Sequence, residues 1–291
     1  MSRYKILHTT RYEYEALVLH AHHLAYLKPR SMLTQRVDAF TLHVDPVPLM
    51  AVALCDYFGN DCHELELLSA HDALTVTCSS LVDLSVPERE LGPHEKLTWE
   101  AAAQRLASDR ELIAFREFCF DSPLVRAHPQ LARYAADTFS PERPLLSALL
   151  ELNRRIHEEF TYDNTVSDVS TPLAKVLQYR RGVCQDFAHL LLGCLRSLGL
   201  SGRYVSGYLE TLPPRGKPRL VGADASHAWV SAYVPDYGWL DLDPTNGIVP
   251  GERHITLAYG RDFSDVSPLR GVVLGGGSHR LSVSVDVEAL V

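Results

Sequence analysis

The stretch that decides the reading runs Gly182-Val183-Cys184-Gln185-Asp186-Phe187-Ala188-His189-Leu190-Leu191-Leu192-Gly193-Cys194-Leu195-Arg196-Ser197-Leu198-Gly199. Phe187, Leu190, Leu191, Cys194, Leu195 and Leu198 fall at i, i+3, i+4, i+7, i+8 and i+11, which is one apolar face of a helix. Gly199 ends it with the residue best able to take a left-handed cap. The helix therefore starts near Gly182-Val183-Cys184, and Cys184 sits in its first turn. There the unpaired N–H groups and the helix dipole favour thiolate over thiol, below the ordinary pKa of about 8.5. The same N–H groups can donate to an oxyanion formed when the sulfur attacks a carbonyl. Gly182 is expected to permit the tight turn that presents Cys184, and Asp186 to complement the dipole. A lone cysteine is also a common small core residue, so the assignment needs partners.

Partners lie downstream. Arg203 to Leu209, Ala228 to Val234 and Trp239 to Leu242 read as strands, with turn chemistry at Pro235-Asp236-Tyr237-Gly238. A five-residue loop from Val234 to Gly238 pairs Tyr233 with Trp239. Asp243 then lies opposite Trp229, and His227 is two residues along on the same face. Such a diagonal pair has Cα atoms roughly 7–8 Å apart, within reach of a carboxylate and an imidazole. Asp241 is two residues further away, and Asp236 is out of reach in the turn. Cys184 is thus the expected nucleophile, His227 the base and Asp243 the group that orients the imidazole. Taken singly, His227 reads as a structural histidine and Asp243 as a turn carboxylate before Pro244; the three together in this order read as a site.

Upstream, residues 1–86 read as an antiparallel β domain of about six strands. Tyr4-Ile6-His8-Thr10, Thr41-His43, Val52-Leu54, Leu65-Leu67, Leu74-Val76 and Leu81-Leu84 carry the pattern, and Gly59-Asn60-Asp61 looks like a hairpin turn. Residues 87–143 read as a helical connection containing Leu106, Ile113 and Phe118, with a second run over Pro129 to Ala136. Residues 144–291 form the expected core. Its first helix follows Pro144, placed at the first helical position, with Leu145, Leu149, Leu152, Ile156 and Phe160 as the apolar stripe. The core ends in a turn-rich stretch, Gly271 to Gly277, and an alternating strand, Leu281-Val283-Val285-Val287.

Three segments carry a specific resemblance. Gly182 through Leu190 resembles the nucleophile segment of the bacterial transglutaminase-like superfamily. Ala225-Ser226-His227-Ala228-Trp229 resembles its histidine motif, and Gly238-Trp239 through Asp243-Pro244-Thr245-Asn246 its aspartate motif. Arg203 to Tyr208 and, more weakly, the first eighty residues extend the similarity to the family's β-rich N-terminal region. The resemblance implies an α+β fold: a papain-like, transglutaminase-like core with the Cys-bearing helix packed on an antiparallel sheet, preceded by an antiparallel β domain. It also implies Cys184, His227 and Asp243 as an intact triad in a superfamily of crosslinking enzymes, proteases and amidases.

Composition narrows the partners. The 291 residues are 46% hydrophobic and 22% charged, with formal net charge -8, and no run of Lys and Arg is longer than a pair such as Arg180-Arg181. Nucleic acid and anionic membrane need clustered Lys and Arg, so neither is expected. No stretch approaches the roughly 20 apolar residues of a membrane span. Six cysteines without CxxC pairs, behind an N-terminus lacking an apolar signal region, give the expectation of reduced thiols in the cytoplasm. His20-Ala21-His22-His23 has no Cys or carboxylate beside it at ligand spacing, so no metal and no cofactor are expected. His189 reads as a helix-flank residue. Gln178 is a candidate amide donor to an oxyanion, set against an ordinary solvated helix position. Gly275-Gly276-Gly277 lacks the Lys-Ser/Thr of a phosphate loop.

The expected function is thiol-dependent hydrolysis of an amide or isopeptide bond in a peptide or protein, through a thioacyl intermediate. Hydrolysis ranks above acyl transfer to an amine because nothing in the sequence excludes water from a thioester. A non-catalytic peptide-binding scaffold is the alternative from another class. The loop over residues 212–224 is expected to border the cleft. Oligomeric state is not legible.

Overall fold

A computed structural model describes residues 2–85, 96–165, 171–211 and 226–290. The expected loop over residues 212–224 lies outside the described residues. The chain is an α+β protein whose larger sheets are antiparallel.

The N-terminal sheet is organised by one strand. β1 (Ser2–Ala25) is unusually long, and the alternation read at Tyr4 to Thr10 is only its first part. β2 (Gln35–Asp45), β3 (Met50–Cys55), β4 (Asp61–Leu67) and β5 (His71–Leu84) complete the order β2-β5-β1-β4-β3. The first half of β1 pairs with β5 and its second half with β4, with an irregularity between Glu13 and Val18. The turn at Gly59-Asn60 joins β3 to β4 as expected.

The helical connection is more broken than its periodicity suggests. α1 (Trp99–Ser108) is followed by a single 3-10 turn, the short α2 (Ile113–Arg116) and another 3-10 turn ending at Cys119. α3 (Pro129–Ala136) matches the run read from sequence. α4 (Leu145–Glu159) buries Leu145, Leu149, Leu152 and Ile156, and Pro144 caps it rather than occupying its first position. β6 (Thr161–Tyr162), α5 (Leu173–Tyr179) and β7 (Arg181–Gly182) lead into α6 (Cys184–Ser197). Gly199 follows the cap with φ +71°, as expected of a left-handed helix end.

The core sheet has the order β10-β9-β8-β11, from β8 (Gly202–Leu209), β9 (Ser226–Val234), β10 (Gly238–Leu242) and β11 (His254–Gly260). Tyr233 pairs with Trp239 in the expected register. α6 packs on β8 and β9, burying Phe187, Leu190, Leu191, Cys194 and Leu195. After the short α7 (Phe263–Val266), the chain returns to the N-terminal sheet. β12 (Leu269–Gly275) and β13 (His279–Leu290) both pair with β1, not with the core sheet that the 144–291 unit contains. The stretch from Gly271 to Gly277, expected as a turn, is therefore mostly strand. Gly271 is needed for close approach, because a Cβ there would lie 2.3 Å from His23 Nδ1 and 2.4 Å from the His22 carbonyl.

Both sheets share one apolar cluster. Tyr4, Ile6, Val82, Leu84, Val285 and Val287 from the N-terminal sheet pack with Tyr204, Tyr208, Ile255 and Leu257 of the core.

Candidate active site

The approach to Cys184 is held by a residue in an unfavourable conformation. Arg180 has φ 54°, the left-handed region that non-glycine residues rarely adopt. Its N–H donates to the Val176 carbonyl at 3.0 Å, its carbonyl accepts from Thr161 at 2.9 Å, and its guanidinium pairs with Glu159. That guanidinium also lies 4.9 Å from the Phe160 ring centroid and 5.0 Å from that of Tyr134. The parallel pairing of β6 with β7 then delivers Gly182 and Val183 to the start of α6.

Asp186 locks that start. Its Oδ2 accepts the Val183 N–H at 2.8 Å, which is half of a capping box. Gly182 serves this contact rather than a turn. A Cβ on it would lie 2.6 Å from Asp186 Oδ2, and its φ is not left-handed. The first helical bond runs from Phe187 N–H to Val183 C=O at 3.1 Å. The N–H groups of Cys184 and Gln185 come before it and have no helical acceptor.

His227, on β9, hydrogen-bonds through Nε2 to Asp243 Oδ2 at 2.8 Å. Cys184 lines the same cavity as His227, and its side chain interacts with that imidazole. Burial pulls the His227 pKa down, but hydrogen bonds to Asp243 and Cys184 and their charges overcome this and raise it to about 10. Asp243 follows β10 and is fully buried. Burial alone would raise its pKa, yet bonds from His227, His254 and Asn246 hold it well below the usual carboxylate range. The three residues read from sequence are thus brought together.

Two neighbours of Asp243 went unread. Asn246 donates its side-chain N–H to Oδ2 at 2.7 Å and its backbone N–H to Oδ1 at 3.2 Å. His254, buried at the start of β11, places Nε2 3.1 Å from Oδ2. Asn246 closes the aspartate segment and could have been suspected from its spacing to Asp243. Nothing local marks His254, because β11 reaches the site only through its pairing with β8. Ligand atoms of His227, Asp243 and His254 lie within 4.8 Å of one another. Their separations are hydrogen-bond distances converging on one oxygen, with Asn246 Nδ2 filling the remaining approach.

The other candidates fall elsewhere. Gln178 is exposed on α5 and lies outside the described cavity around Cys184. His189 is buried, not flanking; burial pushes its pKa down to about 4, and its Nε2 accepts the Phe263 N–H at 3.1 Å. His20 and His22 are exposed on β1 and meet carboxylates that sequence spacing concealed, Glu66 at 3.2 Å and Glu64 at 2.7 Å across to β4. All six cysteines are free thiols.

Cys184 and His227 open into a cavity of about 270 Å³. Its far wall comes from the N-terminal sheet: His8, Thr10 and Tyr12 of β1, and Leu281 and Val283 of β13. His8 ties this wall to the core through Tyr208, at 2.9 Å.

Comparison with known proteins agrees with this architecture. The Transglutaminase-like superfamily matches residues 132–244, and the Bacterial transglutaminase-like N-terminal region matches residues 4–83. An uncharacterized protein of Mycobacterium tuberculosis is 41% identical over 98% of this chain and 92% of its own. A protein-glutamine gamma-glutamyltransferase of Pseudomonas aeruginosa is 34% identical over 134 residues, which is 44% of this chain and 19% of that protein. The solved structure of a cysteine-protease candidate from Cytophaga hutchinsonii superimposes with a TM-score of 0.78 at 21% identity, covering 99% of this chain and 91% of that one, and so shares the fold. With matches to both the core and its N-terminal region, the chain belongs to the transglutaminase-like superfamily.

Proposed function

We propose that the protein is a thiol-dependent amide hydrolase acting on peptides or proteins, with Cys184 as nucleophile, His227 as acid and base, and Asp243 as orienter. The observation that carries this reading is the 2.8 Å hydrogen bond from His227 to Asp243 in a cavity that His227 shares with Cys184, itself at a helix N-terminus. His227 takes the thiol proton, and Cys184 Sγ forms a bond to the amide carbon. The developing oxyanion is met by N–H groups of the first turn of α6. His227 then protonates the leaving nitrogen as the C–N bond breaks, which leaves a thioester. Water, deprotonated by His227, attacks that thioester; the C–S bond breaks and the carboxylic acid leaves.

We rank hydrolysis above transfer to an amine because nothing among the described residues lining the 270 Å³ cavity keeps water from a thioester, as transfer requires. A cytoplasmic setting, which keeps the six thiols reduced, is part of the same proposal.

The test is the pH dependence of Cys184 alkylation by iodoacetamide in wild type and His227→Ala, with buried Cys194 followed by peptide mass spectrometry as the control. Fast labelling well below pH 8 that is lost in the variant is expected. Labelling of Cys184 no faster than Cys194, and indifferent to His227, would leave a scaffold as the better reading. Amine incorporation outrunning acid release from a glutamine peptide would instead favour acyl transfer.

A further inference from the structure

Asp243 is a buried carboxylate with five donors. Oδ1 accepts the N–H groups of Thr245 at 3.0 Å and Asn246 at 3.2 Å. Oδ2 accepts from His227 Nε2 at 2.8 Å, Asn246 Nδ2 at 2.7 Å and His254 Nε2 at 3.1 Å. The Gly251 N–H points at His254 Nδ1 from 3.5 Å, so that nitrogen accepts and the ring proton sits on Nε2. The His254 ring stands edge-on to Trp229, with centroids 5.3 Å apart and planes at 82°, and the pairing of β11 with β8 fixes its backbone.

His254 is not needed to keep the carboxylate in place. Two backbone N–H groups of its own turn anchor Oδ1, and Asn246 anchors Oδ2. What the second imidazole adds is a claim on the charge of the oxygen that holds His227. That charge has two opposed effects on the chemistry proposed above. It stabilises the imidazolium while the thiolate is present, but it also retains the proton once the sulfur is acylated and the thiolate charge is gone. A carboxylate facing His227 alone would keep the ring protonated just when a neutral base is required.

We propose that His254 is a positioning residue acting through Asp243: its Nε2–H shares the charge of Oδ2 and so sets how readily His227 gives up its proton in the acylated enzyme. The consequence for turnover rests on the proposed hydrolase reading; the coupling between the two imidazoles does not. The groups facing His227 are few. Cys184 comes from α6, Asp243 and Asn246 from the turn after β10, His254 from β11, Tyr204 from β8, and His8 and Tyr12 from β1. No Lys, Arg, Asp or Glu lines the cavity in front of His227 among the described residues.

The experiment is an NMR titration of ¹⁵N-histidine-labelled protein in the Cys184→Ala background, where the thiolate charge is absent as it is in the thioester. His254→Phe keeps a ring against Trp229 but removes the donor, and His254→Gln keeps a donor near the Nε2 position. The His227 midpoint is expected to rise by about one pH unit in His254→Phe, since a hydrogen bond to a charged group is worth about 1.5–3 kcal/mol. In His254→Gln it should return to within a few tenths of the Cys184→Ala value.

A midpoint unchanged or lowered in His254→Phe, or unrestored by glutamine, overturns the proposal. If His254→Phe does not fold, the ¹⁵N shifts of His254 itself decide the matter. A neutral ring protonated on Nε2 is expected, and one protonated on Nδ1 overturns it. Iodoacetamide labelling separates the two readings. Cys184 labelling indifferent to His227→Ala sinks the hydrolase reading alone, whereas a His227 midpoint indifferent to His254 sinks this one alone.

Discussion

The side-chain amide of Gln35 closes both polar groups of one core residue: its Nε2 donates to the Thr256 carbonyl at 2.7 Å, and its Oε1 accepts the Thr256 N–H at 2.8 Å. Asn60 does the same for Tyr259, at 2.7 and 2.8 Å. Both amides are buried, and both address β11, the edge strand of the core sheet. An open edge is a template for pairing with another chain. Here the N-terminal sheet covers it with two side chains that imitate strand partners. That docking also fixes where β1 and β13 stand relative to Cys184, so the clasp links the stability of the fold to the shape of the cleft.

Removing the clasp should therefore cost more than an ordinary surface change. Gln35→Ala leaves the Thr256 N–H buried without its acceptor, while the carbonyl keeps the Arg30 N–H at 3.2 Å. A loss of about 2–4 kcal/mol is expected, from one unsatisfied group and three lost hydrogen bonds, the third from Gln35 Nε2 to the Arg30 carbonyl at 2.7 Å. Urea unfolding measures it, and a change under about 0.5 kcal/mol, typical of a neutral surface site, would show that the clasp is incidental.

The far wall of the cleft yields a second expectation. Leu281 and Val283 are half exposed on β13 and line the cavity with Cys184. Val283→Asp should leave iodoacetamide labelling of Cys184 within about twofold, because the small reagent needs only the sulfur. The KM for a peptide substrate with an apolar residue beside the cleaved bond should rise about tenfold or more, since burying one aliphatic side chain is worth about 1.5–3 kcal/mol. An unchanged KM with unchanged labelling would mean that substrate lies elsewhere.

Legibility followed the range of the interactions. The α6 stripe, Gly199, the register of Tyr233 with Trp239 and the approach of His227 to Asp243 all rest on local periodicity or a short turn, and all could be read. The expectation that Gly182 permits a tight turn misses its reason, the side chain of Asp186, which is a packing fact that backbone propensity does not carry. The return of β12 and β13 to β1 joins opposite ends of the chain, and their alternation fits any sheet. His254 lies eleven residues beyond Asp243, on a strand whose neighbour was set by that same long-range topology. The carboxylates that meet His20 and His22 come from β4, more than forty residues away.

Three buried histidines predict how the protein responds to acid. Burial pushes His8, His23 and His189 each down to about 4, with His71 adding to the effect at His23 and Asp262 opposing it at His189. In the unfolded chain each titrates near 6.5. Between these values the unfolded state binds about three more protons than the folded one, so stability falls as pH falls, by about 4 kcal/mol per pH unit near pH 5. His227 acts in the opposite sense. Its raised pKa contributes stability that is complete below about 6.5 and is lost as pH climbs toward 10. Asp243, held low, adds stability that disappears only below about pH 4. Urea midpoints should therefore peak near pH 6.5 to 7 and drop steeply between 6.5 and 4.5. His8→Gln should reduce that acid slope by about one third, the share of one proton in three. His227→Ala should flatten the curve between about pH 6.5 and 8.5 and leave the acid slope unchanged; above that, Cys78, Cys119 and Cys194, pushed up by burial to about 11, 11 and 12, keep stability falling. A midpoint that stays level from pH 6.5 to 5 would mean that water or rearrangement reaches these rings before unfolding, and that their burial does not govern the response to acid.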